Sequence, residues 1–411
     1  AYYLLAGSSL RINADVTKPI KEASIMRGDE EVGRITSIDS GRQRVAAVIP
    51  AESLASGTHT IVLTDDDGLG PKRPIRFTVR LSPDQTPSIR ARLVGIGDLI
   101  TPQAVVPMEL TIRDDFAVTG VGIVHQFTAA MDAEVEASEP TLLSIDTIDD
   151  QLGQAEPDPF FYRFEVEPIN VPIDAHLTFH IQATDNAPPA EPGAEPQFGE
   201  SASFSLKVVS EQDLRVELLR RETEQRVEFE RLLKDQEQLL VEIEALYVGL
   251  DEEAERLTSE QFDALSESEK SQRLTSGQCQ AIAEQFAQIK LEVINNRLEE
   301  ENGPIQSRLQ LRVIDPLNRL AQDAMPVVAD QLDFARKPTT GPEDRYVVLG
   351  EAVERQKQVV ATMREILTSM VKMEGYQEAV NLLREILQAQ ENIEQKTIDE
   401  LERQIENIFE D

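Results

Sequence analysis

The stretch Leu206-Lys207-Val208-Val209-Ser210-Glu211-Gln212-Asp213-Leu214 marks the point where the hydrophobic pattern of the chain changes. Before Ser210, apolar residues alternate with polar ones, and Pro, Gly and Asp separate the short runs. After Ser210, apolar residues recur every three or four positions. Alternation predicts β-strands, and the wider spacing predicts α-helices. The sequence therefore predicts β modules joined to a long helical region.

Residues 1–82 have the pattern of an immunoglobulin-like β-sandwich. Leu10, Ile12 and Ala14 alternate with polar residues, as a strand with one buried face requires. Six or seven strands in about 80 residues are typical of this architecture. The predicted strands are Ser9–Val16, Glu22–Arg27, Glu31–Ile38, Arg44–Ile49, Thr58–Thr64 and Ile75–Leu81.

A proline-bounded linker at residues 83–87 precedes a second predicted immunoglobulin-like sandwich at residues 88–210. Each proline fixes its own φ and restricts the preceding residue, so the linker is predicted to be stiff. An acidic insertion at residues 128–159 is too polar for a core and predicts a loop or a small appended element. The predicted strands are Ile89–Val94, Val105–Arg113, Gly120–Phe127, Phe160–Val166, Leu177–Thr184 and Ala202–Val209.

Residues 211–411 are predicted to form an elongated antiparallel α-helical bundle or coiled coil. Ser210 and Asp213 have the spacing of a capping box at the start of the first helix. Each predicted helix carries a narrow apolar stripe, which must pair with a helix of this chain or of a partner to be buried. We therefore expect a protein partner or self-association through the helical region.

Polar and helix-breaking residues predict where these helices end. The Ser- and Glu-rich run Thr258–Ser276 predicts the reversal between the first two helices, so that the second begins near Ser276 and ends near Leu298. Gly followed by Pro is typical of a C-cap and stop. Further breaks are predicted at Gly303, Pro316, Pro326 and Gly375.

The composition is strongly acidic, with a formal net charge of -35 at pH 7. Nucleic acid and direct adsorption on anionic lipid are disfavoured as partners, because both require a basic surface. The acidity favours solubility, with specific capture of cations or basic partners as the alternative. Cys279 is the single cysteine, so the chain forms no internal disulfide, and its place at the start of a predicted helical run favours a buried or semi-buried thiol over a reactive one.

Three acidic clusters each follow a predicted strand, and they are the candidate ligands of a metal ion. They are Asp65-Asp66-Asp67, Asp114-Asp115 and Asp185 with Asn186. Calcium takes six to eight oxygen ligands, which strand-end carboxylates at a domain junction supply. The alternative is an Asx turn, in which the Asp side chain bonds its own backbone reversal. None has the spacing of an EF-hand loop, and we expect no metal or other cofactor.

The sequence lacks the residue patterns of common catalytic sites. It contains no Gly-rich phosphate loop, no H-E-x-x-H, no G-x-S-x-G and no C-x-x-C. His176 and His180 share one face of a predicted strand, but roughly 13 Å apart, which is too far for one metal. We therefore expect a protein that is not an enzyme and has no catalytic residues.

Short runs at strand ends and at the helix entry resemble a known family. The runs are 7–12 with 17–23, Val105–Phe116, Ala183–Asn186, Val208–Leu214 and Leu382–Leu387 with Gln390 and Thr397. Together they are similar to the DUF4175 group of large planctomycete-type membrane proteins, whose function is unknown. The resemblance implies an extracytoplasmic segment, in the periplasm or at the cell surface, of a longer membrane-anchored chain. It supplies no catalytic residues, and the insertion at residues 128–159 departs from its pattern.

Two functional hypotheses follow from these features. The first is a structural or interaction protein of the cell envelope, with β-sandwiches as rigid spacers and helices as an assembly surface. The second is an adhesin-like binding module whose sandwich loops recognise a glycan or peptide, for which the aromatic run Phe160-Phe161-Tyr162 is a candidate. The chain begins with Ala1 inside a strand-like pattern and lacks a signal peptide, which predicts a fragment anchored through a segment outside it.

Overall fold

The chain folds into two β modules followed by a helical bundle in a computed structural model. The structure describes residues 1–37, 43–115, 118–128, 137–145, 158–185, 197–251, 253–300 and 302–409. Ile38, the last residue of a predicted strand, and Asn186, from the third acidic cluster, lie outside them. So does most of the acidic insertion.

The first module is a set of seven strands in the order β1-β7-β6-β3-β4-β5-β2. β4 changes partners along its length: Arg34 lies opposite Ser24 of β3, and Ile35 lies opposite Ala47 of β5. The core beneath these strands contains buried Ile25, Ile49 and Val79. The strands are β1 Tyr2–Leu5, β2 Leu10–Asp15, β3 Ile20–Arg27, β4 Glu30–Ser37, β5 Arg44–Ile49, β6 Gly57–Asp65 and β7 Ile75–Ser82.

The second module has a three-stranded sheet, β13-β10-β8, and a larger sheet, β12-β11-β14-β16-β9, to which β15 adds beside β14. Met108, Phe164 and Phe179 are fully buried in its core. Part of the acidic insertion forms β12, which pairs with β11. The strands are β8 Ser88–Leu93, β9 Leu99–Ile100, β10 Val105–Arg113, β11 Val118–Thr128, β12 Thr141–Ser144, β13 Phe160–Glu165, β14 His176–Asp185, β15 Phe198–Glu200 and β16 Phe204–Val208.

The helical region forms an antiparallel bundle of four helical columns. α1 packs on α2 and α6, and α5 also packs on α2 and α6, so the columns close a ring around one core. Short reversals between columns enforce the antiparallel arrangement. The helices are α1 Glu211–Val248, α2 Ser259–Asn295, α3 Pro304–Leu309, α4 Asp315–Arg319, α5 Met325–Arg336 and α6 Pro342–Phe409.

The predicted start of the second helix near Ser276 is wrong, because α2 begins at Ser259. Thr258 and Gln261 form a reciprocal capping box, in which the Thr258 side chain accepts from the Gln261 N–H at 3.2 Å. The buried face of this first part of α2 uses Leu265, Ser268, Gln272 and Thr275. Because small and polar residues occupy this buried face, the sequence lacks the apolar period that normally indicates a helix.

Two further helix boundaries differ from the prediction. α2 ends at Asn295, and Gly303 is the N-cap of α3 with Pro304 as its first residue, where proline needs no amide hydrogen. Gly375 does not break the last column, since α6 continues through it as one helix of 68 residues. A single helical glycine costs only about 1 kcal/mol, which is too little to end a long helix.

The prediction that Pro316 and Pro326 interrupt the third column is confirmed. Two π-helical segments, Gln310–Ile314 and Leu320–Ala324, each end two residues before one of these prolines. A proline cannot donate a backbone hydrogen bond and clashes with the carbonyl four residues earlier. In a π-helical turn, the backbone hydrogen bonds join residues five apart instead of four. This wider turn relieves the clash, and the helical column continues through the proline.

One buried polar pair aligns α1 with α6. Gln236 and Gln356 are both fully buried, and the Gln356 amide donates to the Gln236 side-chain oxygen at 2.8 Å. Sliding one helix past the other would leave both amides unsatisfied, which is costly inside an apolar core. Within the described ranges, no helix is long and apolar enough to cross a lipid bilayer.

The early start of α2 predicts a strong effect at Leu265. Leu265 is 1% exposed, whereas Leu274 on the same helix is 65% exposed. Leu265→Ala should lower the free energy of unfolding by about 2–5 kcal/mol, because the buried site loses apolar contacts and gains a cavity. Denaturant unfolding of the whole chain measures this. Leu274→Ala is the matched control and should change stability by less than about 0.5 kcal/mol; equal effects would contradict the placement of α2.

Candidate functional site

The cluster Asp65-Asp66-Asp67 forms a turn that its own side chain stabilises. The Asp65 carboxylate accepts from the backbone N–H of Leu69 at 2.8 Å and of Asp67 at 3.1 Å. It also pairs with the Lys18 ammonium at 3.2 Å. These bonds, with that from Leu69 the strongest, lower the pKa of Asp65. The alternative interpretation of the sequence, an Asx turn, is therefore correct for Asp65.

The other acidic clusters meet at the linker between the two β modules. Asp84 of the linker lies close enough to Asp114, Asp115 and Asp185 for all three to act on its ionisation. Desolvation raises the pKa of Asp84 to about 6, with further contributions from a hydrogen bond to Asp185 and from the neighbouring negative charges. Like charges held together disfavour ionisation. We call these four residues the linker carboxylate cluster.

The sequence-based hypothesis of a calcium site gains no support from the arrangement of these side chains. Over the residues that the structure describes, no group of three His, Cys, Asp or Glu side chains has a geometry that could hold a metal ion. Donors already lie beside the linker cluster: the Gln85 N–H is 3.4 Å from Asp115, and the Gln197 amide is 3.4 Å from Asp84. Calcium binding therefore stays an untested alternative to the expectation of no metal.

A buried polar joint holds the second β module against the end of α2. The Thr101 N–H donates to the Asn296 side-chain oxygen, and the Thr101 hydroxyl donates to the Asn296 carbonyl, both at 2.9 Å. Beside them, the Asn295 amide donates to the Gly95 carbonyl at 2.6 Å. Thr101 and Asn296 are fully buried. Paired polar groups of this kind fix both the position and the orientation of the two surfaces.

A buried ion pair supports the joint from the helical side. Arg221 of α1 binds Glu292 of α2 through two bonds of 2.9 Å, and the Glu292 side chain is 2% exposed. Gly97 of the β module lies directly on this carboxylate, where an added Cβ would sit 2.8 Å from a Glu292 oxygen. The bidentate geometry compensates the buried charge and leaves little freedom to move.

The rim of the joint adds exposed contacts. Arg297 follows the end of α2 and pairs with Glu167 at 2.8 Å and with Glu165 of β13 at 3.7 Å. The Arg215 side chain of α1 hydrogen-bonds the Leu298 carbonyl. A groove of about 1000 Å³ opens beside these residues, and Arg163 and Lys290 also line it. Exposed ion pairs of this kind contribute little stability on their own.

The chain passes from β16 into α1 within two residues. β16 ends at Val208, the Val209 N–H donates to the Ile100 carbonyl at 2.8 Å, and Val209 is part of the bundle core. Ser210 is the N-cap, and its side chain accepts from the Asp213 N–H at 3.1 Å. The strand-to-helix transition that the sequence predicted at Ser210 is therefore present. A backbone hydrogen bond to Ile100 holds it on the strand side, and the Ser210 cap holds it on the helix side.

The distal part of α6, residues 371–409, carries an exposed apolar stripe. Buried α6 residues extend to Met370, which is 2% exposed. Beyond it, large apolar side chains face solvent at exposures of 40–70%: Leu382, Leu383, Ile386, Leu387, Ile393 and Ile398. They recur at helical spacing, as a stripe that pairs with another helix does. We call this set the distal stripe.

The aromatic run at the start of β13 divides between core and surface. Phe160 and Tyr162 pack against the core of the second module, as ordinary strand residues do. Phe161 points the other way and is 69% exposed. A groove of about 620 Å³ next to this strand is lined by His125, Tyr162 and Ile169, among others. The run is therefore one exposed aromatic on a strand that borders a groove of mixed polar and apolar lining, and not an aromatic platform.

The single thiol is buried in the bundle. Cys279 is fully buried and belongs to the same core as Phe286. Desolvation raises the pKa of the Cys279 thiol to about 12, which keeps it protonated and unreactive at neutral pH. The prediction of a buried thiol is confirmed.

Sequence reasoning missed the residues of the joint. Gly95, Gly97 and Thr101 occupy a short segment that contains only the two-residue strand β9, too short for any periodic signal. On the helical side, the dipeptide Asn295-Asn296 marks the end of α2, and Asn is common at such ends. Gly95 and Gly97 could have indicated the joint, because an isolated glycine in a strand pattern often indicates that another part of the chain approaches its backbone closely.

Comparisons with known proteins leave the family of the chain open. No family model matches, and no curated protein matches. A DUF3823 family protein from Bacteroides uniformis covers 49% of this chain and 100% of its own, at 9% identity and a TM-score of 0.20. A mutant of Salmonella alpha-2-macroglobulin has 9% identity and a TM-score of 0.21, with 50% of this chain and 14% of its own covered. Escherichia coli alpha-2-macroglobulin has 15% identity and a TM-score of 0.17, with 50% and 13% covered. Scores this low carry no inference about fold or function, and the resemblance to DUF4175 stays a prediction.

The raised pKa of Asp84 predicts a pH-dependent effect of Asp84→Asn. The folded state holds the Asp84 proton up to about pH 6, whereas the unfolded chain releases it at the ordinary value of 3.8. The stability from this protonated carboxyl is present at low pH and lost as pH rises through the folded pKa. The gain in melting temperature of Asp84→Asn over the native chain should therefore be near zero at about pH 4 and clear at about pH 7.5.

Thermal melts across this pH range measure the effect. Asp158→Asn, at an exposed aspartate of the same module, is the control and should give no pH-dependent difference. A gain from Asp84→Asn that is the same at every pH would contradict the assignment. The calcium hypothesis is tested in the same melts: if calcium binds, millimolar calcium raises the melting temperature of the native chain but not of Asp84→Asn. A melt unchanged by calcium and by chelator would end that hypothesis.

Proposed function

We propose that the chain is a non-enzymatic structural protein of the cell envelope, in which a rigid β spacer presents a helical assembly surface. The observation that carries this proposal is the buried joint between Thr101 and Asn296. A spacer must transmit orientation, and a joint built from paired, buried polar groups resists both sliding and rotation. The ion pair of Arg221 with Glu292 supports the same geometry.

Strand order supports the immunoglobulin-like part of the proposal. In the second module a three-stranded sheet and a larger sheet enclose one core, and an early strand pairs in parallel with the last strand: β9 with β16. The first module repeats this parallel pairing between β1 and β7. Two mainly antiparallel sheets around a common core are the architecture of such sandwiches.

The distal stripe supports the assembly part of the proposal. The bundle buries its own stripes, because its four columns close around one core. Met370 is the last α6 side chain that the structure describes as buried, and the apolar stripe of α6 continues beyond it on exposed residues. Exposed contiguous apolar surface of this kind is typical of protein interaction sites. We propose that this segment forms a coiled coil with a partner helix.

The cellular place of the protein rests on the family resemblance. We propose an extracytoplasmic location, in the periplasm or at the cell surface, with membrane attachment only through a segment outside this chain. The net charge of -35 supports the absence of direct adsorption on anionic lipid or nucleic acid.

A second candidate function is the adhesin-like binding module. One observation favours it: β13 carries the exposed Phe161 and also borders the groove lined by His125 and Tyr162. Such a site would recognise a glycan or peptide through one aromatic and several polar groups. It is compatible with a rigid joint, which would then hold the recognition site at a fixed orientation.

Rigidity of the joint is tested by spin-label distance measurements on the full chain. Arg90 of β8 and Gln285 of α2 are exposed, and Cys279 is buried, so labels attach only to cysteines introduced at the two exposed sites. The distance distribution between labels at Arg90→Cys and Gln285→Cys should be no wider than that between two labels on α2 itself. A distribution several times wider would contradict a spacer function.

A matched pair of glycine substitutions isolates the joint. Gly97→Ala places a methyl group 2.8 Å from the Glu292 carboxylate and should broaden or shift the distribution. Gly120→Ala in β11 meets nothing within 4 Å and should leave it unchanged. If Gly97→Ala has no effect on the distribution, the contact with Glu292 does not hold the joint.

A further inference from the structure

The sequence of the distal stripe restricts what can cover it. Between positions 371 and 411 the chain has eleven acidic and four basic residues, a formal charge of -7. Glu394 lies within the stripe itself, because it is seven residues from both Leu387 and Leu401, and it is exposed. The apolar spacing continues in the sequence at Leu401, Ile405 and Ile408. The segment is therefore acidic overall, and one acidic group, Glu394, lies on its apolar line.

A second copy of this chain fits that surface poorly. In a parallel pairing, Glu394 would face its own copy across the seam, and two segments of formal charge -7 would lie side by side. Like charges in contact positions destabilise helix pairs and discriminate against the wrong partner. The formal net charge of -35 adds repulsion between whole chains. Opposite charge on the partner removes each of these costs.

We infer that the distal stripe binds a cationic amphipathic helix of another protein. The apolar face of that helix covers Leu383, Ile386 and Leu387, and a Lys or Arg on its seam pairs with Glu394. The part of α6 from Ala379 to Ile408, over which the apolar spacing runs in the sequence, is about 45 Å long and matches a partner helix of about 30 residues. The acidic chain also speeds encounter with a basic partner by electrostatic steering. This inference rests on the assembly role proposed above and names the class of partner.

A designed peptide tests the inference on the full chain. The probe is a helix of about four heptads, with Leu at seam positions, Lys on the flanks and one Lys on the seam opposite Glu394. Fluorescence anisotropy should show saturable binding that weakens roughly tenfold or more from about 0.05 M to about 0.5 M salt. A peptide with Glu in place of every Lys should not bind.

Two pairs of serine substitutions locate the binding. Leu383→Ser with Leu387→Ser should weaken binding of the Lys peptide at least about tenfold, because two contact side chains are removed. Both residues are exposed, so the fold is retained. The control pair, Val241→Ser with Leu274→Ser, removes side chains that are 59% and 65% exposed on α1 and α2, and it should not alter binding.

Several results would overturn the inference. They are the absence of binding, equal binding of the Glu peptide, and equal loss of binding in the control pair, which would indicate general attraction to an acidic surface. Sedimentation of the chain without peptide is the last measurement, and it gives the oligomeric state. A dimer that Leu383→Ser with Leu387→Ser abolishes would assign the stripe to a second copy. That outcome would leave the spacer proposal standing, because the spin-label distances test it separately.

Discussion

The orientation of the second β module on the bundle depends on two hydrogen bonds between Thr101 and Asn296. Both residues are fully buried, and the backbone and side chain of each take part. A small rotation would break both bonds at once and leave buried donors and acceptors without partners, a cost of about 1–3 kcal/mol for each group. The joint is therefore cooperative, and intermediate orientations are disfavoured.

The remaining contacts of the joint depend on this alignment. With Thr101 bonded to Asn296, Gly97 lies against Glu292, where an added Cβ would sit 2.8 Å from a carboxylate oxygen. Glu292 in turn is held by Arg221, which ties the end of α2 to α1. Val209 continues from the last strand into the bundle core. The β module and the bundle thus share an interface in which strand, helix end and ion pair constrain one another.

Much of the fold follows from hydrophobic period alone. The predicted strands Arg44–Ile49 and Val105–Arg113 agree with β5 and β10 residue for residue, because the first is a short bounded apolar run and the second alternates apolar with polar residues. The start of α2 could not be predicted in this way, since Ser268, Gln272 and Thr275 occupy its buried face. The short strands β9 and β15 lack enough residues for a period, and only their pairing with β16 and β14 in the folded module defines them.

The candidate sites also differ in how far local sequence predicts them. A local turn, such as that of Asp65, can be predicted from adjacent residues, because its hydrogen bonds are to its own backbone. The approach of Asp84 to Asp114 and Asp185 depends on how the linker lies across two strands, and no local pattern reports it. The distal stripe was visible as a helical period, but its exposure beyond Met370 depends on where the other three columns end.

The central claim is that the joint between the second β module and the bundle opens only when the protein unfolds. Hydrogen exchange at the Thr101 amide tests this claim most directly. This N–H donates to Asn296, so it exchanges only when the joint opens. Its free energy of opening should lie within about 1 kcal/mol of that of the Ile289 amide in the buried middle of α2. Exchange of the Thr101 amide at the rate of exposed loop amides, while Ile289 stays protected, would show that the joint opens freely and contradict the account.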